Sequence, residues 1–258
     1  MTDADYQFVL LGQAEPFEPY LSGEIRKNGS LLLISERDIP RSDSSLLAAF
    51  LTVRKPSVVF FAPETKRAEV KYTTSVYEAI SHALQDTDSL LVSWHDTKTP
   101  FPLNENCHCL TFELPQLLIS PDNRNFVTDW IEIFLNRKRV VVKEDDYVDL
   151  IDSRLLSLMS IKAALKALSN PALCGSCRIS ANGTPLRSEV IEYIRALLSK
   201  ILPDRPLAKV QYQQLQTSHP AEEAGNLAFQ ETFEVILPKW HSCVEETTAA
   251  YLAHHKRI

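Results

Sequence analysis

Four groups of residues in this 258-residue chain are of types that could do chemistry. The cysteines form Cys107-His108-Cys109 and Cys174-Gly175-Ser176-Cys177, with Cys243 apart. A CxxC pair is a zinc half-site, and a second pair can complete a tetrahedral tetrathiolate, so Cys107, Cys109, Cys174 and Cys177 are the zinc candidates. The CxC spacing argues the other way, because on a strand both thiols point to one face and pack as core. A thioredoxin-like reading of Cys174–Cys177 needs the motif at a strand end that opens a helix. Here Asn170-Pro171 precedes it and the strand-like Arg178-Ile179-Ser180 follows, so that reading is rejected.

The second group is the polar stretch Ser35–Ser45, SERDIPRSDSS, between an apolar run and a helical one. A phosphate-cradling loop has the form GxxxxGK[ST], since glycines let backbone N–H groups face phosphate and lysine supplies charge. This stretch ends in Ser44-Ser45 but holds no glycine and no lysine, and Arg37 and Arg41 are its cations. It reads as a solvated turn with a helix cap. The third group is the acidic run Glu144, Asp145, Asp146, Asp149 and Asp152, which follows the apolar Arg139–Lys143. A carboxylate at a strand end can hold Mg²⁺ as a Walker B aspartate does, yet carboxylates ahead of a helix also cap it and suit its dipole. Capping is the expectation. The fourth is His95-Asp96 at a strand end, where open α/β sheets place their sites. His241, His254 and His255 lie near or on the terminal helix without a carboxylate at ligand spacing. There is no GxSxG, HExxH or GxGxxG, so no catalytic residue and no cofactor is expected.

The elements that must position these groups alternate. Apolar runs read as strands at Tyr6–Leu11, Leu31–Ser35, Val58–Ala62, Ser89–Trp94, Cys107–Leu114 and Arg139–Lys143. Ala14–Gly23, with Pro16 and Pro19, reads as loop. One-face apolar spacing predicts helices over Ser44–Arg54, Thr74–Asp86, Asn125–Asn136, Arg154–Leu168, Arg187–Leu202 and Ser242–His254. Ala208–Gln216 and Phe229–Leu237 read as a late antiparallel pair. The fold class expected is α/β, a mainly parallel sheet flanked by helices in three layers. One domain over 1–258 is expected, with a C-terminal elaboration over 171–258 beginning near Pro171.

Composition excludes several classes. The 45% hydrophobic and 23% charged fractions are those of an ordinary globular protein. No apolar run approaches the ~20 residues of a membrane span, and the acidic start MTDADYQF is not a secretion signal. A cytoplasmic or nuclear place with reduced thiols is expected. Residues 1–152 carry a net −9 and residues 153–258 a net +3, so no segment alone is a nucleic-acid footprint. Six glycines leave few places where backbone can wrap a phosphate or dinucleotide.

The order SLLLIS, a loop lacking glycine and lysine, Ser44-Ser45-Leu46-Leu47, VVFFAPE and then VVVKEDDYVDLI resembles the RecA-like fold of proteins that have lost the Walker A motif. It is similar to the small accessory subunits of Elongator over residues 25–170, and to recombinase paralogues without ATPase motifs. The resemblance implies a non-catalytic, pseudo-ATPase scaffold in a hetero-oligomer of protein subunits, with indirect tRNA contact in wobble-uridine modification. The alternatives are a recombination mediator, an assembly chaperone, or a metal-dependent enzyme using residues 144–152.

Overall fold

In the computed structural model, residues 6–12, 18–34, 38, 44–62, 70–85, 87–95, 106–142, 146–213 and 224–255 are described. The first half runs β1 (Tyr6–Gly12), α1 (Glu18–Arg26), β2 (Gly29–Ile34), α2 (Ser44–Arg54), β3 (Val58–Ala62), α3 (Val70–Ala83), β4 (Leu90–His95) and β5 (His108–Glu113). There follow β6 (Leu117–Ile119), α4 (Phe126–Asn136), β7 (Arg139–Val142), β8 (Leu150–Asp152), α5 (Ser153–Ser169) and β9 (Gly175–Arg178). The chain ends with α6 (Arg187–Ile201), β10 (Lys209–Tyr212), α7 (Ala224–Phe233) and α8 (Trp240–His254). It divides into two compact units that interleave in sequence. Unit 1 is Met1–Leu114, Leu156–Arg178 and Glu231–Val235; unit 2 is Pro115–Leu155, Ile179–Gln230 and Ile236–Ile258.

Unit 1 is built on six parallel strands in the order β2-β1-β3-β4-β5-β9. Unbroken apolar runs make this possible, since a parallel strand must bury both faces. On one face Val9, Leu11, Val59, Phe61, Leu91 and Cys109 meet Leu47 and Leu51 of α2 and Val76, Tyr77 and Ile80 of α3. On the other, Phe8, Phe60, Trp94 and Phe112 form an aromatic row with centroid spacings of 6.1, 5.9 and 6.2 Å. Trp94 donates its indole N–H to Ser160 Oγ of α5 at 3.1 Å, satisfying a polar atom that burial would otherwise leave unpaired.

Unit 2 packs α4, α6 and α8 around Ile131, Phe134, Val190, Ile194, Leu198, Val244 and Leu252. Two short parallel pairs, β6 with β8 and β7 with β10, complete it. A capping box starts α4: Asn125 Oδ1 accepts from the Val127 and Thr128 amides, and Thr128 Oγ1 accepts from the Asn125 amide.

The mainly parallel sheet with flanking helices is as expected, but four sequence readings are corrected. The strand β2 is an edge, with Leu32 and Leu33 about two-fifths exposed at 41% and 42%, so the loop after it does not leave a central strand. The strand β7 is not in the main sheet, so the acidic run has no Walker B position. The antiparallel late pair is absent among the described residues: β10 pairs parallel with β7, and 224–233 is helix. Residues 18–23 of the stretch Ala14–Gly23, read as loop, belong to α1; Pro19 is tolerated because the first helical turn needs no N–H partner there. No helix among the described residues is long and apolar enough to cross a membrane.

Candidate ligand site

A sheet of order β2-β1-β3 reverses its winding between β1 and β3, and in open α/β sheets ligands gather at that switch point. The reversal puts the βα turn that matters after β1, between Gly12 and Glu18, and not after β2 where phosphate chemistry was sought. Within Ser35–Ser45, only Asp38, Ser44 and Ser45 fall among the described residues; Arg37 and Arg41 lie outside them.

The other sequence candidates do not converge. His95 ends β4, buried, and its carbonyl accepts from the Leu114 amide at 2.8 Å, while Asp96 lies outside the described residues. Glu144 and Asp145 also lie outside. Asp146 accepts from the Arg187 amide through its carbonyl, and buried Asp149 accepts from the Gln116 amide at 2.9 Å. Asp152, also buried, accepts from the Arg154 amide and guanidinium and from Thr247 Oγ1, at 2.8 to 3.2 Å. Asp149 and Asp152 therefore pin backbone and helices.

Cys107 and Cys109 belong to the core against α2 and α3. Register pairs Leu110 with Gly175, so Cys109 and Cys174 stand one step back on neighbouring strands. Hydrogen bonding to Cys109, then burial, pushes the Cys107 thiol far up. Burial raises Cys174 to about 11 and Cys177 to about 12. Zinc ligands must be thiolates. Among the described residues no group of three or more His, Cys, Asp or Glu is arranged to hold a metal ion.

What sequence reasoning missed is a cavity of about 470 Å³ in unit 2, lined by Asn182, Gly183, Asn226, Gln230, Lys239, Trp240 and His241. It is built from the extended segments at 182–183 and 237–239, from α7 and from the first residues of α8. The Asn182 amide donates to Pro238 O at 2.8 Å and the Trp240 amide donates to Asn182 O at 3.0 Å, which ties 182 beside 239. From α7, Asn226 Nδ2 donates to Ser180 Oγ (2.7 Å) and Ala181 O (3.2 Å), and its Oδ1 accepts from the Ser180 amide (2.9 Å). One turn on, Gln230 Oε1 accepts from the Leu237 amide at 2.8 Å, and its Nε2 donates to Asn182 Oδ1 at 3.2 Å. These carboxamides hold the loops in place of a regular strand ladder.

The wall is aromatic. Trp240 and His241 stack at 3.7 Å, and Tyr193 meets both edge-on at 5.3 and 4.6 Å. Tyr193 in turn donates its hydroxyl to Glu245; partial burial and that carboxylate push its pKa up to about 12. Gly183 sits at φ +95°, and a Cβ there would stand 3.0 Å from Trp240 Cδ1. Only glycine meets both demands. Lys239 and His241 bring an ammonium group and an imidazole to the lining. Among the described residues no carboxylate pairs with Lys239. The motif Asn182-Gly183 was a visible turn signal; its partners, 44 to 59 residues downstream, were not.

No family model matches the sequence, and no curated protein does. Solved structures match over nearly the whole chain. GDP-mannoheptose C4 reductase from Campylobacter jejuni, with NADP bound, aligns at TM-score 0.71 and 11% identity, over 96% of this chain and 99% of that one. dTDP-4-dehydrorhamnose reductase from Bacillus anthracis, in complex with NADP, gives 0.68 and 13% over 95% and 99%. dTDP-glucose 4,6-dehydratase from Bacillus anthracis, in complex with NAD, gives 0.68 and 12% over 96% and 97%.

The fold is thus Rossmann-like, the doubly wound kind in which these NAD- and NADP-bound enzymes are built. That overturns the RecA-like resemblance and, with it, the Elongator subunit, pseudo-ATPase scaffold and tRNA-modification readings. The recombination mediator, the chaperone and the metal enzyme of residues 144–152 gain no support either. The physical reason is the sheet: β1, not β2, leads the switch point. The same likeness raises the question of a dinucleotide, and the turn after β1 does not fit one. Between Gly12 and Gly23 the chain has no further glycine, and Glu18 occupies the first turn of α1 where a pyrophosphate would sit.

Proposed function

We propose that this chain is an enzyme of the sugar-nucleotide class and holds its substrate, a nucleotide-linked sugar, in the unit 2 cavity. The observation that carries the reading is the whole-chain likeness to sugar-nucleotide reductases, an epimerase and a dehydratase, unit 2 included. The cavity supports it independently. Its volume suits a small polar ligand. Its wall offers the rings of Trp240 and His241 to a sugar, and Lys239 offers charge to a phosphate.

In this reading His241 is the group that gives or takes a proton. Its ring is fixed between Trp240 and Tyr193, as a positioned acid–base group must be. Lys239 orients the ligand through phosphate, and Gly183 keeps Trp240 in place. No step is assigned to a nicotinamide, because the β1–α1 turn does not suit one.

The test is a panel of dTDP-, UDP- and GDP-linked sugars incubated with the protein, the products resolved by anion-exchange chromatography. Conversion of at least one, reduced about 10²-fold or more by His241→Ala, is the expected result. A panel that emerges unchanged, with no member raising the melting temperature, removes the proposal.

A further inference from the structure

We infer that this chain does not bind NAD or NADP at its β1–α1 turn, so that the fold is kept and the dinucleotide is not. In the dinucleotide fingerprint GxGxxG, the first glycine makes the tight turn after the first strand. The second lets backbone approach the pyrophosphate, and the third lets the helix pack on the strand. Here Gly12 closes β1 and supplies the first. The next two positions at that spacing are Ala14 and Phe17. A side chain at either is what the fingerprint excludes.

Three further features point the same way. The cradle works through backbone N–H groups, and Pro16 and Pro19 have none to give. The same segment carries Glu15 and Glu18, two carboxylates against the two charges of a pyrophosphate. Glu18 stands in the first turn of α1, where its own carboxylate answers the positive end of the helix. An anion arriving there meets a position already compensated.

The sheet adds an observation at larger scale. The six-stranded dinucleotide order 3-2-1-4-5-6 has a strand outside the second one. Among the described residues, nothing pairs with the outer edge of β2, and Leu32 and Leu33 stay two-fifths exposed. One residue argues for the cofactor: Glu36 follows Gly12 in sequence at about the spacing at which the fingerprint has its ribose-binding acid. A ribose contact alone does not hold a dinucleotide whose pyrophosphate is repelled.

The experiment is a titration of the full chain with NADH and with NADPH, followed by nicotinamide fluorescence and by melting temperature. No saturation by either reduced cofactor up to about 1 mM, and an unmoved melting temperature, is the expected result. Saturable binding of either below that concentration overturns the inference. The sugar-nucleotide panel, run without nicotinamide, keeps this test separate from the proposed function. Failure of the panel sinks that reading and leaves this one standing, and binding of NADPH does the reverse.

Discussion

Gly183 and Asn226 show how single residues shape the cavity. At φ +95° and 3.0 Å from Trp240, Gly183 has no room for a methyl. Gly183→Ala should cost about 1–3 kcal/mol, from backbone strain and from the displaced indole. Urea unfolding would read this as a lower midpoint at unchanged slope. Asn226 is 7% exposed and makes three hydrogen bonds to 180–181. Asn226→Ala strands the Ser180 amide and should cost a further ~1–3 kcal/mol. The thiols set an alkaline limit. Cys177 and Cys243 are raised from 9.0 to about 12 and about 11, burial being the first cause in each. Above pH ~9 the unfolded chain loses these protons while the folded chain keeps them, so the unfolded state binds fewer protons and stability falls. Melting temperature should therefore drop as pH rises from about 9 toward 11–12. Cys177→Ser should make that slope shallower.

At the scale of elements, sequence reasoning succeeded where a single physical rule dominates. The stripe Val190, Ile191, Ile194, Leu198 has one reading, and α6 follows it to within a residue. Unbroken runs such as Val58–Ala62 have one reading too. It failed where two rules compete. Pro19 was weighed as a loop former, although proline in a first turn is as good a helix start; the outcome is α1. Phe229–Leu237 is apolar enough for a strand, but 224–233 is α7, because Phe229 and Phe233 lie four residues apart and bury on one side. Trp94 was legible as core, while its bond to Ser160 was not, since 66 residues separate them. With the ring among Phe60, Phe112 and α5, Trp94→Ala should cost about 3–5 kcal/mol. Loss of near-ultraviolet ellipticity with far-ultraviolet signal retained would mark it as a packing defect.

For the molecule as a whole, the alternation of strands and helices announced a parallel sheet but not the order of its strands. That order is set by pairings such as β1 with β3, about fifty residues apart, which no local pattern records. Reading the run before Ser35 as the strand that leads the phosphate loop made the chain look RecA-like; the switch point lies instead between β1 and β3, and the solved structures it matches share that Rossmann-like fold. The cavity was invisible for the same reason. Its parts come from 182–183, 226–230 and 239–241, and no local pattern joins them. What remains is a Rossmann-like chain with an unsuitable dinucleotide turn and, in unit 2, a cavity with an aromatic wall and Lys239 in its lining.

The central claim is that this cavity holds a nucleotide-linked sugar. Calorimetric titration of dTDP-, UDP- and GDP-linked sugars into the protein and into Lys239→Ala tests it most directly. Removing a charged partner of phosphate is worth about 1.5–3 kcal/mol. The account thus predicts that at least one sugar nucleotide binds the unaltered chain and binds Lys239→Ala about 10- to 100-fold more weakly. Equal affinity for the two proteins, or heat from neither with any of the ligands, would contradict it.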